Sequence, residues 1–110
     1  MSIYHSMDKA MRDKDADAYL DLLDDGFEFV RHQSGTRMTK KDMAAMVRQM
    51  MASDAMKVSN ERCLYENADI LVEHSVMNFP DGTREAVMGV HFLKDGKIVR
   101  TETGATLLKS

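Results

Sequence analysis

Two histidines in the stretch EHSVMNFPDGTREAVMGVH, residues 73–91, carry the acid–base chemistry this sequence offers. Histidine titrates near neutrality, so beside a carboxylate it can take and return a proton. Taking Asp81 and Gly82 as a two-residue hairpin loop would pair Pro80 with Thr83 and set His74 opposite Gly89. The same construction about Asp95 and Gly96 brings Glu102 opposite Gly89 and Arg100 opposite His91, and a loop at Asn67 and Ala68 brings Glu61 opposite His74. One sheet face then collects Glu61, His74, His91, Arg100 and Glu102 around Gly89, which has no side chain to fill the space.

In that arrangement His74 is the expected general base, oriented by Glu102, while Glu61, Gly89, His91 and Arg100 line the ligand space. Arg100 is the natural partner for a ligand carboxylate, or for Glu102 and Glu61. The same residues also make sense without any reaction, since buried charges have to be paired and histidines between glutamates satisfy that need. His32, ending the first strand in VRHQSG, is a candidate for the cavity mouth or a loop histidine satisfied by backbone. Tyr19 reads as a helix-packing aromatic whose hydroxyl could reach a cavity. Cys63 is expected to be a small buried strand residue rather than a nucleophile. No HxH or HxxxH spacing supports a metal site, and no nucleotide-binding loop or nucleophile elbow is present, so no cofactor is expected.

These residues need elements to position them. Ile3, Met7, Ala10 and Met11 recur at helical spacing, and Asp15 can cap a second short helix carrying Ala16, Tyr19, Leu20 and Leu23. GFEFVRH alternates as a strand, and QSGT turns the chain. Thr39 is a good N-cap for TKKDMAAMVRQMM, where Met43, Met46, Val47 and Met50 recur at i, i+3, i+4 and i+7. This predicts a third helix whose methionine face, Met43, Met46 and Met50, points toward the core, as gap-filling side chains or around a ligand. Four strands follow, roughly 58–66, 69–79, 83–94 and 97–107, separated by NA, PDG and DG turn signals. The expected fold is a single α+β domain over residues 1–110, with N-terminal helices packed on a curved antiparallel sheet.

Composition bounds the partners. The net charge of −3 argues against nucleic acid, and no apolar run approaches the roughly 20 residues that span a bilayer. The N-terminus MSIYHSMDKAMRDKD lacks the basic-then-apolar order of a signal peptide, and one cysteine fits a reducing compartment, so a cytoplasmic protein is expected. Both sheet faces are too apolar to be left in water, so a homodimer through one of them is expected.

RDKDADAYLDLLDDGFEFV and FLKDGKIVRTE resemble the helix, acidic pair and first strand, and the last hairpin, of the nuclear transport factor 2-like superfamily. These cone-shaped α+β domains include scytalone dehydratase, ketosteroid isomerase and the SnoaL-like polyketide cyclases, and the resemblance covers nearly the whole chain. It implies a cavity between sheet and helices and dimers packed through the opposite sheet face. Overlaid on the ketosteroid isomerase pattern, the chain carries Met7 where that enzyme has its tyrosine, Arg31 near its aspartate base and Gly89 at its second acid. None of the three groups is present, so an isomerase of that mechanism is not expected, while Gly89, His91 and Leu93 fall on the cavity side. The expected function is binding of a small apolar or carboxylate-bearing ligand, with cofactor-free isomerase, dehydratase or cyclase chemistry through a His/Glu pair. The competing reading is a non-enzymatic dimerisation or accessory module with a structural polar network.

Overall fold

The computed structural model describes residues 2–109. Ser2, Asp15 and Thr39 start its three helices for one reason: each lends a side-chain oxygen to a backbone N–H that the first helical turn leaves unpaired. Ser2 Oγ accepts from His5 N at 3.0 Å before α1 (Ile3–Arg12), and Asp15 Oδ1 accepts from Ala18 N at 3.1 Å before α2 (Ala16–Leu20). Thr39 and Asp42 form a reciprocal capping box at the head of α3 (Lys40–Met51).

The strands are β1 (Leu23–Arg31), β2 (Thr36–Thr39), β3 (Lys57–Glu66), β4 (Ile70–Asn78), β5 (Arg84–Lys94) and β6 (Lys97–Leu107), in the sheet order β2-β1-β6-β5-β4-β3. β3 to β6 form the expected antiparallel meander. β1 runs parallel to β6, so the sheet is mixed rather than wholly antiparallel. No hairpin joins those two strands, and so no connection imposes antiparallel pairing on them. Beyond the QSGT turn the chain folds back on β1 as β2, with Gly35 at φ 71°. The helices cover one sheet face, and Met7, Leu23, Phe27, Met43, Leu71 and Ile98 are buried between the layers.

The turns set the faces, and two of them differ from expectation. Asn67 N donates to Ile70 O at 2.9 Å, so the β3–β4 loop is Ala68 and Asp69 rather than Asn67 and Ala68, and the β4–β5 loop is longer than two residues. Phe79 N donates to Thr83 O at 2.9 Å and Gly82 N to Phe79 O at 3.0 Å, so the β4–β5 loop has three residues, Pro80, Asp81 and Gly82. Asp81 Oδ1 fixes it by accepting from Thr83 N at 2.9 Å and Thr83 Oγ1 at 2.6 Å, with Gly82 at φ 90°. Pro80 suits this loop because its ring presets the φ of a turn and it has no N–H to give a ladder. The extra loop residue slips the register by one, so Gly89 faces Glu73 and His74 faces Met88. A one-residue slip exchanges the two faces of a strand.

Bulges do the same to the flanking strands. The Asp95–Gly96 turn keeps the expected pair Leu93↔Ile98, but a bulge at Val99 then sets Gly89 opposite Thr103 and His91 opposite Thr101. In β3, register shifts between Ser59 and Arg62, where Asn60 adopts φ 54°, and between Cys63 and Tyr65 place Arg62 opposite His74. Cys63, expected to be buried, is exposed. Partial desolvation and the nearby Glu66 carboxylate raise its pKa and keep the thiol protonated.

Candidate functional site

Because Glu73 instead of His74 faces Gly89, β4 turns Glu73, Ser75 and Met77 inward, toward a cavity of about 180 Å³ beneath α2 and α3. β5 contributes Glu85, Val87, Gly89 and His91, and β6 contributes Thr101, Thr103 and Ala105. Met43, Met46, Met50 and Met51 of α3 form the roof, and Met11, Met38, Met56 and Met77 extend it. Eight of the chain's 11 methionines thus surround one space, a wall of unbranched, polarisable side chains that reshapes around whatever it holds.

Three polar side chains form a line along the floor. His91 is 3% exposed, its Nδ1 lies 2.7 Å from Thr101 Oγ1, and its Nε2 donates to Glu73 Oε2. With the ring neutral, Nδ1 accepts from the Thr101 hydroxyl; with a second proton on the ring, the hydroxyl rotates and accepts from Nδ1–H. Both protonation states of His91 are therefore hydrogen-bonded at both nitrogens. Gly89 makes room for this pair: a Cβ there would lie 3.2 Å from His91 Nε2 and 3.4 Å from Glu73 Cγ.

Tyr19 of α2 reaches the same region, and among the described residues none hydrogen-bonds its hydroxyl. Burial first, and then the Glu73 carboxylate, push its pKa above the ordinary tyrosine value, so the phenol stays protonated and can donate into the cavity. The sign for stability follows: the folded protein holds the phenolic proton more tightly than the unfolded chain, so this contribution is complete below pH ~10 and is lost as pH rises beyond it. Tyr19→Phe is expected to flatten the fall of melting temperature as pH rises from about 10 to 12. Parallel melting curves for the two proteins through that range would refute it.

Arg31 lines the cavity at a more exposed point. Its Nη2 sits 3.0 Å from each oxygen of Glu85 and also donates to Gln33 Oε1. The Glu85 carboxylate is buried against this guanidinium, so the pair is internally neutral. On the other side of Glu73 lies a second space of about 60 Å³, bordered by Tyr4, Asp8 and Glu61 and sharing Tyr19, Ser75 and Met77 with the first. Arg12 spans Asp8 at 3.0 Å and Glu61 at 3.7 Å.

Met43, Met46, Met50, Gly89 and His91 therefore occupy the cavity wall expected of them, and Glu61 borders the smaller space. His74, Glu102, Arg100 and His32 are not among the lining residues. The Val99 bulge turns Arg100 and Glu102 to the outer face, where Arg100 donates from Nε to Glu102 at 2.9 Å and from Nη1 to Glu28, and His32 Nε2 lies 2.9 Å from Glu102. The hydrogen bond from His32, then Arg100, holds the Glu102 carboxyl below its ordinary range. The expected pair of His74 with Glu102 does not form, because His74 faces Met88 on one side and Arg62 on the other. Glu73, Thr101, Glu85 and Arg31 were not foreseen as site residues; the readable signal for Glu73 was Pro80 followed by Asp81 and Gly82, a three-residue loop pattern, and for Glu85 its even spacing from Gly89 and His91.

A family model described as SnoaL-like domain matches residues 4–101. A nuclear transport factor 2-like protein of unknown function from Burkholderia xenovorans is 18% identical, with 96% of this chain and 81% of that one covered and a TM-score of 0.78. A SnoaL-like protein from Burkholderia thailandensis is 17% identical over 94% and 90% of the two chains, with a TM-score of 0.74. A protein with a ketosteroid isomerase-like fold from Catenulispora acidiphila, in complex with trimethylamine, is 14% identical over 91% and 82%, with a TM-score of 0.70. No curated protein matches the sequence. At these identities the structural likeness speaks for the fold.

Proposed function

We propose that this chain, which belongs to the SnoaL-like domain family, binds a small, largely apolar molecule in its methionine-walled cavity and moves a proton on it through Glu73. The observation that carries this reading is the line Glu73–His91–Thr101, which ends in an apolar enclosure beside a protonated tyrosine. Glu73 is the base, since His91 is buried with both nitrogens engaged. His91 positions the carboxylate through the Nε2–H bond, and Thr101 holds the ring. Tyr19 donates to the oxygen on which negative charge develops as the ligand loses its proton. Returning that proton to a different atom is an isomerisation, and loss of a neighbouring hydroxyl after the same step is a dehydration.

The positions that carry the chemistry in ketosteroid isomerase hold Met7, Arg31 and Gly89 here, so the groups come from elsewhere. The carboxylate arrives from β4, directly across from Gly89, and the phenol from α2. The direct test is exchange of the α-protons of a simple cyclic ketone for deuterium in D2O, followed by NMR. The protein is expected to accelerate exchange above buffer, and equal rates with and without protein would remove the enzymatic reading.

The outer sheet face supports a second element, association with another copy of the chain. Met88 and Phe92 are 44% and 36% exposed there, beside Val72, Val76 and Val90 and away from every helix. A two-fold dimer through this face would bury both residues and leave the cavities on the outside of the pair. Met88→Lys together with Phe92→Lys is expected to give a monomer by light scattering at concentrations where the unaltered protein is dimeric. A monomeric unaltered protein would remove the proposal. Among the described residues no helix is long and apolar enough to cross a membrane.

A further inference from the structure

We infer that the cavity takes an uncharged single-ring molecule with one hydroxyl or carbonyl head, and rejects fused-ring molecules and carboxylates. The inference rests on the proposed use of the cavity and adds the class of ligand.

Size comes first. An apolar cavity of about 150 Å³ holds one benzene, so about 180 Å³ accommodates a six-membered ring with one or two further heavy atoms. A second fused ring needs roughly half as much space again as the first. To be buried it would have to displace the packed side chains of α3, of which Met43 and Val47 are in the core; otherwise it projects from the open side of the cavity and gains no apolar contact there.

The head group follows from what the wall can bond. Tyr19 offers an O–H to the cavity and Glu73 a carboxylate, and both border the same region. A hydroxyl accepts from the first and donates to the second; a carbonyl accepts from the first. An ammonium group has no lone pair, so it can donate to the Tyr19 oxygen but leaves the Tyr19 O–H proton without an acceptor in an apolar space.

Charge excludes the acids. Glu73 and Glu85 are both in the lining, and Arg31, the one lining residue with a fixed positive charge, is already held by both oxygens of Glu85. Arg100, the cation that would have received a carboxylate, lies on the outer face with Glu28 and Glu102. A carboxylate ligand would meet like charge with no free partner.

Four probes of related shape separate these factors by melting temperature: benzyl alcohol, benzylamine, benzoate and 2-naphthol. Benzyl alcohol at about ten times its dissociation constant is expected to raise the melting temperature by roughly 5 °C, with no rise from benzoate or 2-naphthol and a smaller one from benzylamine. Tyr19→Phe is expected to weaken benzyl alcohol about fivefold, the loss of one hydrogen bond. Met50→Ala, which removes three heavy atoms from the roof, is expected to admit 2-naphthol. A response of the unaltered protein to 2-naphthol or benzoate, or a larger one to benzylamine than to benzyl alcohol, overturns the inference and leaves cavity binding standing. Silence from all four probes removes both.

Discussion

Glu73→Gln is expected to lower the rate of ketone α-proton exchange by about 10²–10⁴-fold, the usual contribution of one positioned acid–base group. Glutamine matches glutamate in shape, and its carbonyl oxygen can still accept from His91 Nε2–H, so the floor of the cavity keeps its geometry. What it loses is the negative charge and the capacity to take a proton. Binding of benzyl alcohol should therefore survive within a few-fold while exchange does not, which separates a chemical role from a structural one. Exchange unchanged in Glu73→Gln, with circular dichroism also unchanged, would mean that the His91 pair only stabilises the core.

Ile98→Ala carries the largest expected effect on stability, about 2–5 kcal/mol. Ile98 has 0% of its surface exposed, lies opposite Leu93, and sits where β6 meets the first strand, its N–H donating to Leu22 O at 2.8 Å. The side chain is surrounded on every side, so its removal leaves a cavity that the sheet backbone cannot close. A loss of that size is a large part of the roughly 5–15 kcal/mol that holds an ordinary domain together, and should lower the melting temperature by roughly 10–20 °C. Leu107→Ala near the end of the same strand, where the side chain is 60% exposed, should cost no more than about 0.5 kcal/mol. Similar losses from the two would mean that strand propensity rather than burial sets the cost.

Much of the fold was legible because helix starts and hydrophobic spacing are local. Thr39 with Asp42, and Met43 with Val47, announce α3 without reference to the rest of the chain. The meander was legible for the same reason, from its turn residues. The site was less so, because which side chains face inward depends on parity summed along strands. One additional loop residue at Pro80, one bulge at Val99 and two shifts in β3 were enough to exchange Glu73 for His74 and Thr101 for Arg100. His91 and Gly89 kept their side because β5 is the strand to which the others were referred. The β1–β6 pairing was not legible at all, since parallel partners far apart in sequence leave no turn between them to read.

That pairing sets when the protein becomes itself. Phe29 pairs with Thr101, 72 residues later, and this pairing joins β2 and β1 to the rest of the sheet. The hairpins of β3 to β6 close over short loops, whereas β1 must wait for the last strand before it has a neighbour other than β2, and so late closure of a long loop is part of folding. Until β1, α1 and α2 dock, Tyr19 is apart from Glu73, and the methionines that line the cavity face water as a sticky apolar surface. Closure of the β1–β6 pairing and assembly of the cavity wall are thus one event.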